Sequence, residues 1–324
     1  MIIDIESRNI LRLLLFPLED DFKYSTPTLS RISCKLKLSY SQVKSRVNKL
    51  ISEGVISSKP SLIPNYNYLN IRKKFIGGFV DNHERVKEEL SRRATNFVDR
   101  VYYLSRGICS RKLIGLEVVY SSKAELEDYI SYLTEKLTSF KIDEELISEF
   151  SFKTPLSDKD LKVVERLKDC RSIERRILYE LSLYPLIKVP KLSNRLFPNL
   201  GGNNRKYRTV KRVLDSLTKS RAFWIERNVN SSNLIGSSLF LVLVKVEKNE
   251  MPNIIGKVKE TLKENYIWIK SYFDKHVEVF CYYSRRKDYE EIINGLTKSG
   301  LDFSIFEEFE IENLNEGYVR IKSN

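Results

Sequence analysis

One half of this chain repeats in the other, and any fold must accommodate that duplication. Residues 41–56 (SQVKSRVNKLISEGVI) overlay residues 208–223 (RTVKRVLDSLTKSRAF) at a shift of 167, setting Val43 on Val210, Lys44 on Lys211, Val47 on Leu214 and Leu50 on Leu217. The flanks agree. Each half opens on a helical pattern, carried by Ile10, Leu11 and Leu14 and by Ile177, Leu178 and Leu181. A second short helix follows around Leu29 and Leu192, then the aligned third helix. Short strands are expected at 55–56 and 223–225, with turns or wings over 57–65, where Pro60 and Pro64 fall, and over 227–233. Three helices and a wing predict a winged helix-turn-helix in each half. The joint before the third helix is tight in the first copy (Lys37-Leu38, with Ser39 as N-cap) and longer in the second, over residues 198–204.

Behind each winged motif the period changes. Strands at 75–80, 97–104, 112–120 and 147–152 alternate with helices at 86–94 and 124–137. In the second half, strands at 239–246, 266–273, 277–283 and 303–311 alternate with helices at 252–264 and 289–298. The order β-α-β-β-α-β is that of a ferredoxin-like unit. The expected fold is therefore α+β: a tandem repeat of a winged helix-turn-helix followed by a ferredoxin-like βαββαβ domain. The boundaries are 1–66, 67–153, a linker helix at 154–171, 172–233, 234–312 and a tail at 313–324. Tyr102, Tyr103, Phe240 and Phe280 sit on strands and are expected in the core.

Composition excludes several classes. The longest apolar run, residues 239–244, is far shorter than a membrane span, and the N-terminal stretch carries Asp4, Glu6 and Arg12. A soluble cytoplasmic chain, without membrane contact, is expected. Cys34, Cys109, Cys170 and Cys281 lie far apart, as do His83 and His276, so neither a zinc finger nor a disulfide framework is expected. No metal, cofactor or phosphate-binding glycine loop is expected either. The charge is uneven. Residues 1–70 carry a net +4 and residues 172–234 a net +9, which together equal the +13 of the whole chain. Such localisation points to a polyanionic partner, double-stranded DNA.

The first half resembles the Lrp/AsnC family of transcription regulators. The resemblance rests on Ile10-Leu11-Arg12-Leu13-Leu14, and then on Leu38-Ser39, Val43, Arg46-Val47, Leu50 and Gly54-Val55-Ile56. It covers about residues 4–152, and residues 172–311 by the logic of the repeat, although Val213 stands where the first copy has Arg46. It implies homodimers packed through ferredoxin-like sheets, so two copies in one chain would form an intramolecular pseudo-dimer, with a homo-oligomer as a further state. It also implies an effector site at a glycine-containing turn followed by an acidic residue. Gly107 matches the glycine but Arg111 stands near the acidic position, and in the second half Asp274 is present without the glycine, so no effector is named.

On this reading the third helix of each half enters the major groove. The expected DNA-binding residues are Ser39, Tyr40, Ser41, Gln42, Lys44, Ser45, Arg46, Asn48 and Lys49 in the first copy. In the second they are Arg205, Lys206, Tyr207, Arg208, Thr209, Lys211 and Arg212. Gln42 and Asn48 suit adenine edges, Arg208 and Arg212 suit guanine or the phosphate backbone, and Arg46 and Lys49 suit phosphate or packing. The expected function is a sequence-specific DNA-binding transcription regulator, not an enzyme. Two alternatives stand beside it. One is an architectural DNA binder of low specificity. The other is an enzyme, since the same two-domain order resembles siroheme decarboxylases; His83 and His276 are read as surface or turn residues that weigh against it.

Overall fold

The computed structural model describes residues 4–15, 28–90, 97–105, 112–137, 140–151, 156–198, 203–231, 238–247, 250–263, 265–283 and 285–314. Three helices lead: α1 (Ile5–Leu15), α2 (Leu29–Leu36) and α3 (Tyr40–Ser52). Then follow β1 (Ile56–Pro64), β2 (Arg72–Val80), α4 (His83–Glu89), β3 (Val98–Ser105), β4 (Lys112–Tyr120), α5 (Lys123–Lys136) and β5 (Lys141–Glu149). Helix α6 (Asp158–Leu167) leads into the second half, which opens on α7 (Ile173–Leu183), α8 (Val189–Leu196) and α9 (Asn203–Lys219). The chain continues through β6 (Phe223–Asn230), β7 (Ser238–Lys245), α10 (Met251–Leu262), β8 (Tyr266–Lys270), β9 (His276–Tyr283), α11 (Arg286–Lys298), β10 (Phe303–Phe306) and β11 (Glu308–Asn313). The class is α+β with antiparallel sheets. Among the described residues no helix is long and apolar enough to cross a membrane.

Sequence signals set these boundaries. Ser39 caps α3 with a capping box: Gln42 N donates to Ser39 Oγ, and Ser39 N donates to Gln42 Oε1. The buried face of α3 is Val43, Val47 and Leu50, and that of α9 includes Val210, Val213 and Leu217. The repeat alignment sets Leu214 on Val47, but Leu214 is only partly buried and Val213 takes the inner place. This repacking explains the loss of Arg46 in the second copy. In the first, Arg46 pairs with Glu6 and Asp4 at the start of α1. The positions matching Arg46 and Glu6 in the second are Val213 and Ile173, both apolar.

The seven-stranded sheet runs β1-β6-β11-β3-β4-β2-β5 and the four-stranded sheet β10-β7-β9-β8. Within each, the order of a ferredoxin-like unit is present, as β5-β2-β4-β3 and β10-β7-β9-β8. Two features differ from the expected pattern. Residues 57–64 and 227–230 are not turns: they lie in strands β1 and β6, paired antiparallel from Ile56 opposite Val229 to Pro64 opposite Phe223. Prolines are tolerated because β1 is the sheet edge and the register is irregular between Ile56 and Pro60. Residues 303–311 are not one strand either. The chain breaks at Glu307, leaves the second sheet after β10, and enters the first as β11 between β3 and β6.

Each sheet has two buried faces. In β4, Ile114, Leu116 and Val118 pack with Leu126 and Leu133 of α5, while Leu113 and Val119 join the central core that spans both halves. In β9, Val277, Val279 and Cys281 pack with Ile292 and Leu296 of α11, while Phe280 and Tyr282 join the same central core. The strand period of two thus splits each sheet into a helix-facing side and a side facing the sister sheet. Gly115 lies on the latter side, where a Cβ would sit 2.4 Å from the Phe75 ring. The halves are also sewn at their rim. Ser151 N donates to Tyr272 O (2.7 Å), and Asp274 Oδ1 accepts from Glu149 N (2.8 Å) and Ser148 Oγ (3.0 Å). Asp274 is therefore engaged in joining the halves, while Gly107 and Arg111 lie outside the described residues.

Candidate active site

Charged side chains accumulate where the sheets face each other. Lys73 on β2, Asp99 and Arg100 on β3, Glu117 on β4, Glu226 on β6, Lys270 on β8 and His276 and Glu278 on β9 are all at most 5% exposed. Seven of these carry formal charge: three cations and four carboxylates. Isolated charges in such surroundings cost several kcal/mol each, so mutual pairing is obligatory.

The pairing is dense. Lys73 Nζ lies 2.7 Å from Asp99 Oδ2 and also bonds Glu117 Oε2. Arg100 donates from Nε to Asn313 Oδ1 (2.6 Å) and from Nη2 to Glu226 Oε1, and its Nη1 lies 3.4 Å from Glu117 Oε1. Trp224 Nε1 donates to the other Glu226 oxygen at 3.0 Å. The Tyr102 hydroxyl, on β3, stands at the centre. It reaches Glu117 Oε1 and Glu278 Oε1 (3.0 Å), and Lys270 Nζ stands 3.4 Å from it. Lys270 Nζ lies 3.6 Å from Glu278 Oε2, and His276 Nε2 lies 3.7 Å from Glu278 Oε1. His276 itself stacks on Phe273 at 5.0 Å between centroids.

This setting perturbs the titration of its members. Burial alone would raise the Glu117 carboxyl, but Arg100, Lys73 and Lys270 overcome it and hold it well below the usual carboxylate range. Glu278 is likewise lowered: burial opposes ionisation, and Lys270 and His276 favour it. The Tyr102 phenol is pushed up, by burial first and then by Glu117 and Glu278. The Tyr66 phenol rises for the same reason, with Asp99 beside it. Lys270 is pulled down to about 8, by burial first and then by repulsion from Arg100. Several polar atoms here are buried without a hydrogen-bond partner among the described residues: His276 Nε2, Glu278 Oε2, Tyr66 Oη and Trp268 Nε1. A cluster of mutually perturbed groups around a phenol, with one carboxylate oxygen unfilled, can hold and pass protons.

None of these residues was among the expected site residues. His276, read from sequence as a surface or turn residue, is 5% exposed at the start of β9; its neighbours Phe75 and Phe273 enclose it. His83 is half-buried at the start of α4, its Nε2 3.1 Å from Leu113 O. A signal for the cluster is present in the strand period. Glu117 shares the parity of Gly115 and Val119, and Glu278 that of Phe280 and Tyr282, so each carboxylate falls on an inward position.

The expected DNA-binding residues sit on two other surfaces. In the first copy Tyr40, Ser41, Lys44, Ser45, Asn48 and Lys49 are exposed on α3. Gln42 and Ser39 are spent on the capping box and Arg46 on Glu6 and Asp4. In the second copy Arg205, Tyr207, Arg208, Lys211 and Arg212 are exposed, whereas Lys206 and Thr209 are partly buried. Some of the positive charge counted in residues 172–234 is spent on backbone carbonyls. Arg175 is 2% exposed and donates to Leu167 O. Arg176 donates to Leu196 O, and Arg227 to the carbonyls of Ser57 and Ser58.

No family model matches the chain, and no curated protein matches it. Among solved structures it is similar to the siroheme decarboxylase NirDL in co-complex with an iron-uroporphyrin III analogue, at 13% identity and a TM-score of 0.43, covering 94% of this chain and 90% of that one. It is similar to a mutant chlorite dismutase from Candidatus Nitrospira defluvii at 9% identity and a TM-score of 0.33, covering 78% of this chain and 96% of that one. A transcriptional regulator from Neisseria meningitidis, in complex with L-Met, gives 12% identity and a TM-score of 0.29, covering 48% of this chain and 94% of that one. The neighbours thus include both Lrp/AsnC-type regulators and enzymes. The expectation of a DNA-binding regulator without enzymatic activity is corrected here: the matches spanning most of the chain are enzymes, while the regulators span half of it. At these TM-scores the likenesses assign this chain no activity.

Proposed function

We propose that this chain is an enzyme of the siroheme-decarboxylase kind, working at the buried ionic centre between two halves, each a winged helix-turn-helix followed by a ferredoxin-like unit. The reaction class is that of the NirDL neighbour. What supports the reading is one observation: the Tyr102 hydroxyl lies within reach of Glu117, Glu278 and Lys270 in a centre closed to solvent. Decarboxylation breaks a carbon–carboxylate bond, releases carbon dioxide, and needs one proton for the carbon left behind. Lys270, pulled down to about 8, gives up a proton more readily near neutrality than an ordinary lysine. Tyr102 joins Lys270 to the ionised carboxylates of Glu117 and Glu278, which hold the phenol and the ammonium in place, and Lys270 regains its proton from solvent after the product leaves. Arg100 and Lys73 keep Glu117 ionised and so keep it an acceptor for the phenol. Exclusion of water strengthens each of these interactions. Because the centre is enclosed, a substrate reaches it only where the two sheets part.

The test is anaerobic incubation of the full chain with siroheme, followed by absorbance and by the mass of the extracted tetrapyrrole. Loss of carbon dioxide by the wild type, and not by Lys270→Met or Tyr102→Phe chains of unchanged fold, supports the reading. A wild-type chain that neither shifts the siroheme spectrum nor releases carbon dioxide overturns it, and the ionic centre is then a joint between the halves.

A further inference from the structure

The segment from α7 to β6 turns charge of one sign towards solvent. Its carboxylates are Glu174, Glu180, Asp215 and Glu226. Glu174 and Glu226 are buried, Glu180 is tied to Arg195, and Asp215 is partly buried. No carboxylate is therefore exposed among the described residues of 172–231, whereas Lys188, Lys191 and Arg195 are exposed along α8, in addition to the exposed cations of α9. Their spacing of three and four sets Lys188, Lys191 and Arg195 on one face of the helix.

The turn that leads into α8 leaves large apolar side chains in water. Leu183 is 39%, Tyr184 47% and Leu186 48% exposed. Ile187 and Val189, next in the chain, instead pack against the central core. Scattered exposed leucines are ordinary, but three large apolar side chains in one turn form a patch. The turn is ordered: Tyr184 N donates to Glu180 O (2.9 Å) and Ile187 N to Tyr184 O (3.0 Å). Arg195 joins the patch to the cationic face of α8, since its guanidinium lies 4.3 Å over the Tyr184 ring while its Nε bonds Glu180.

We propose that this surface docks on an anionic lipid bilayer. Leu183 and Leu186 enter the acyl boundary, Tyr184 sits at headgroup level, and Lys188 and Lys191 meet the lipid phosphates. Charge complementarity selects the occupant. Anionic headgroups satisfy the cations, and the hydrocarbon beneath them takes the leucines in the same contact. A nucleic acid would satisfy the cations and leave the leucines in water. The expectation of no membrane contact rests on the lack of a spanning segment, and a contact at the surface needs none. No residue of the buried centre takes part, so the inference stands whether or not that centre is catalytic.

The experiment is co-sedimentation of the full chain with vesicles of phosphatidylcholine alone and of phosphatidylcholine mixed with phosphatidylglycerol, at low ionic strength. Binding to the mixed vesicles and not to the neutral ones is expected. Replacing Leu183→Ser and Leu186→Ser together should weaken binding about tenfold, through lost apolar burial. Replacing Lys188→Gln and Lys191→Gln together should also weaken it about tenfold, through lost attraction to the headgroups. These side chains are exposed, so both variants should melt with the wild type, and lost binding is then not lost fold. A wild type that leaves the mixed vesicles unbound overturns the proposal. So does vesicle binding that the leucine pair leaves unchanged, because the cations alone then suffice. A chain that binds a random DNA duplex but no vesicle overturns it too, and gives the surface to nucleic acid.

Discussion

Replacing Glu117 by glutamine tests the buried centre directly. The carboxylate is 1% exposed and touches Lys73, Arg100 and Tyr102. Removing one member of a buried ion pair costs about 3–5 kcal/mol, because the partner charge is left uncompensated. Here each partner keeps a second acceptor: Lys73 retains Asp99, Arg100 retains Glu226, and Tyr102 retains Glu278. The expected loss is therefore at the lower end, about 3 kcal/mol. At about 2 °C per kcal/mol for a chain of this length, the melting temperature should fall by about 6 °C. Glu127→Gln is the control. Glu127 and Lys123 form an exposed pair on α5, and its removal should leave the melting temperature within error. The acid dependence has a definite sign. Glu117 has its folded pKa depressed, so its stabilisation is complete above its ordinary value of 4.5 and is lost as the pH falls through the folded value. The gap between wild type and E117Q should therefore be full at pH 7 and narrow as the solution is acidified below 4.5. Equal melting temperatures for E117Q and the Glu127→Gln control at pH 7 would refute the argument that Glu117 is an ionised, paired group.

Other outcomes follow from individual positions. Lys270 has a folded value of about 8 against an ordinary 10.5, so the unfolded chain binds more protons between the two and stability should rise by roughly 2 kcal/mol from pH 8 to pH 10; urea titrations should show this rise in the wild type and not in Lys270→Met. His83 is lowered to about 4, by burial first, so the folded state keeps it neutral and stability falls with pH from about 6.5 towards 4; His83→Gln should flatten that part of the acid profile. Gly256 lies on the exposed side of α10, and a Cβ there meets nothing within 4 Å, so Gly256→Ala should stabilise the chain by about 0.5–1 kcal/mol in chemical denaturation.

The duplication and the alternation of strands and helices were legible because apolar periodicity records which face of each element is covered. Val43, Val47 and Leu50 at helical spacing become the covered face of α3, and residues 112–120 become β4. What periodicity cannot record is which distant element does the covering. The pairing of Ile63 with Trp224, and of Ile311 with Tyr102, joins residues far apart in the chain, and nothing local distinguishes a strand that docks across halves from a free turn. The ionic centre escaped for a related reason. Its charges nearly cancel, so segment totals pass over them, while arginines such as Arg175 and Arg227 inflate a total that reads as surface charge. Strand parity alone, in the inward positions of Glu117 and Glu278, carried the information.

Strand β11 has a consequence for how the molecule is made. A chain leaving the ribosome N-terminus first completes β3 some two hundred residues before β11 exists to lie beside it. Until then the rim of β3 offers unpaired amides and carbonyls to any passing strand, and Arg100 waits for Asn313 and Glu226. The two halves therefore cannot mature in succession: the earlier one stays unfinished until the later one delivers its closing strand.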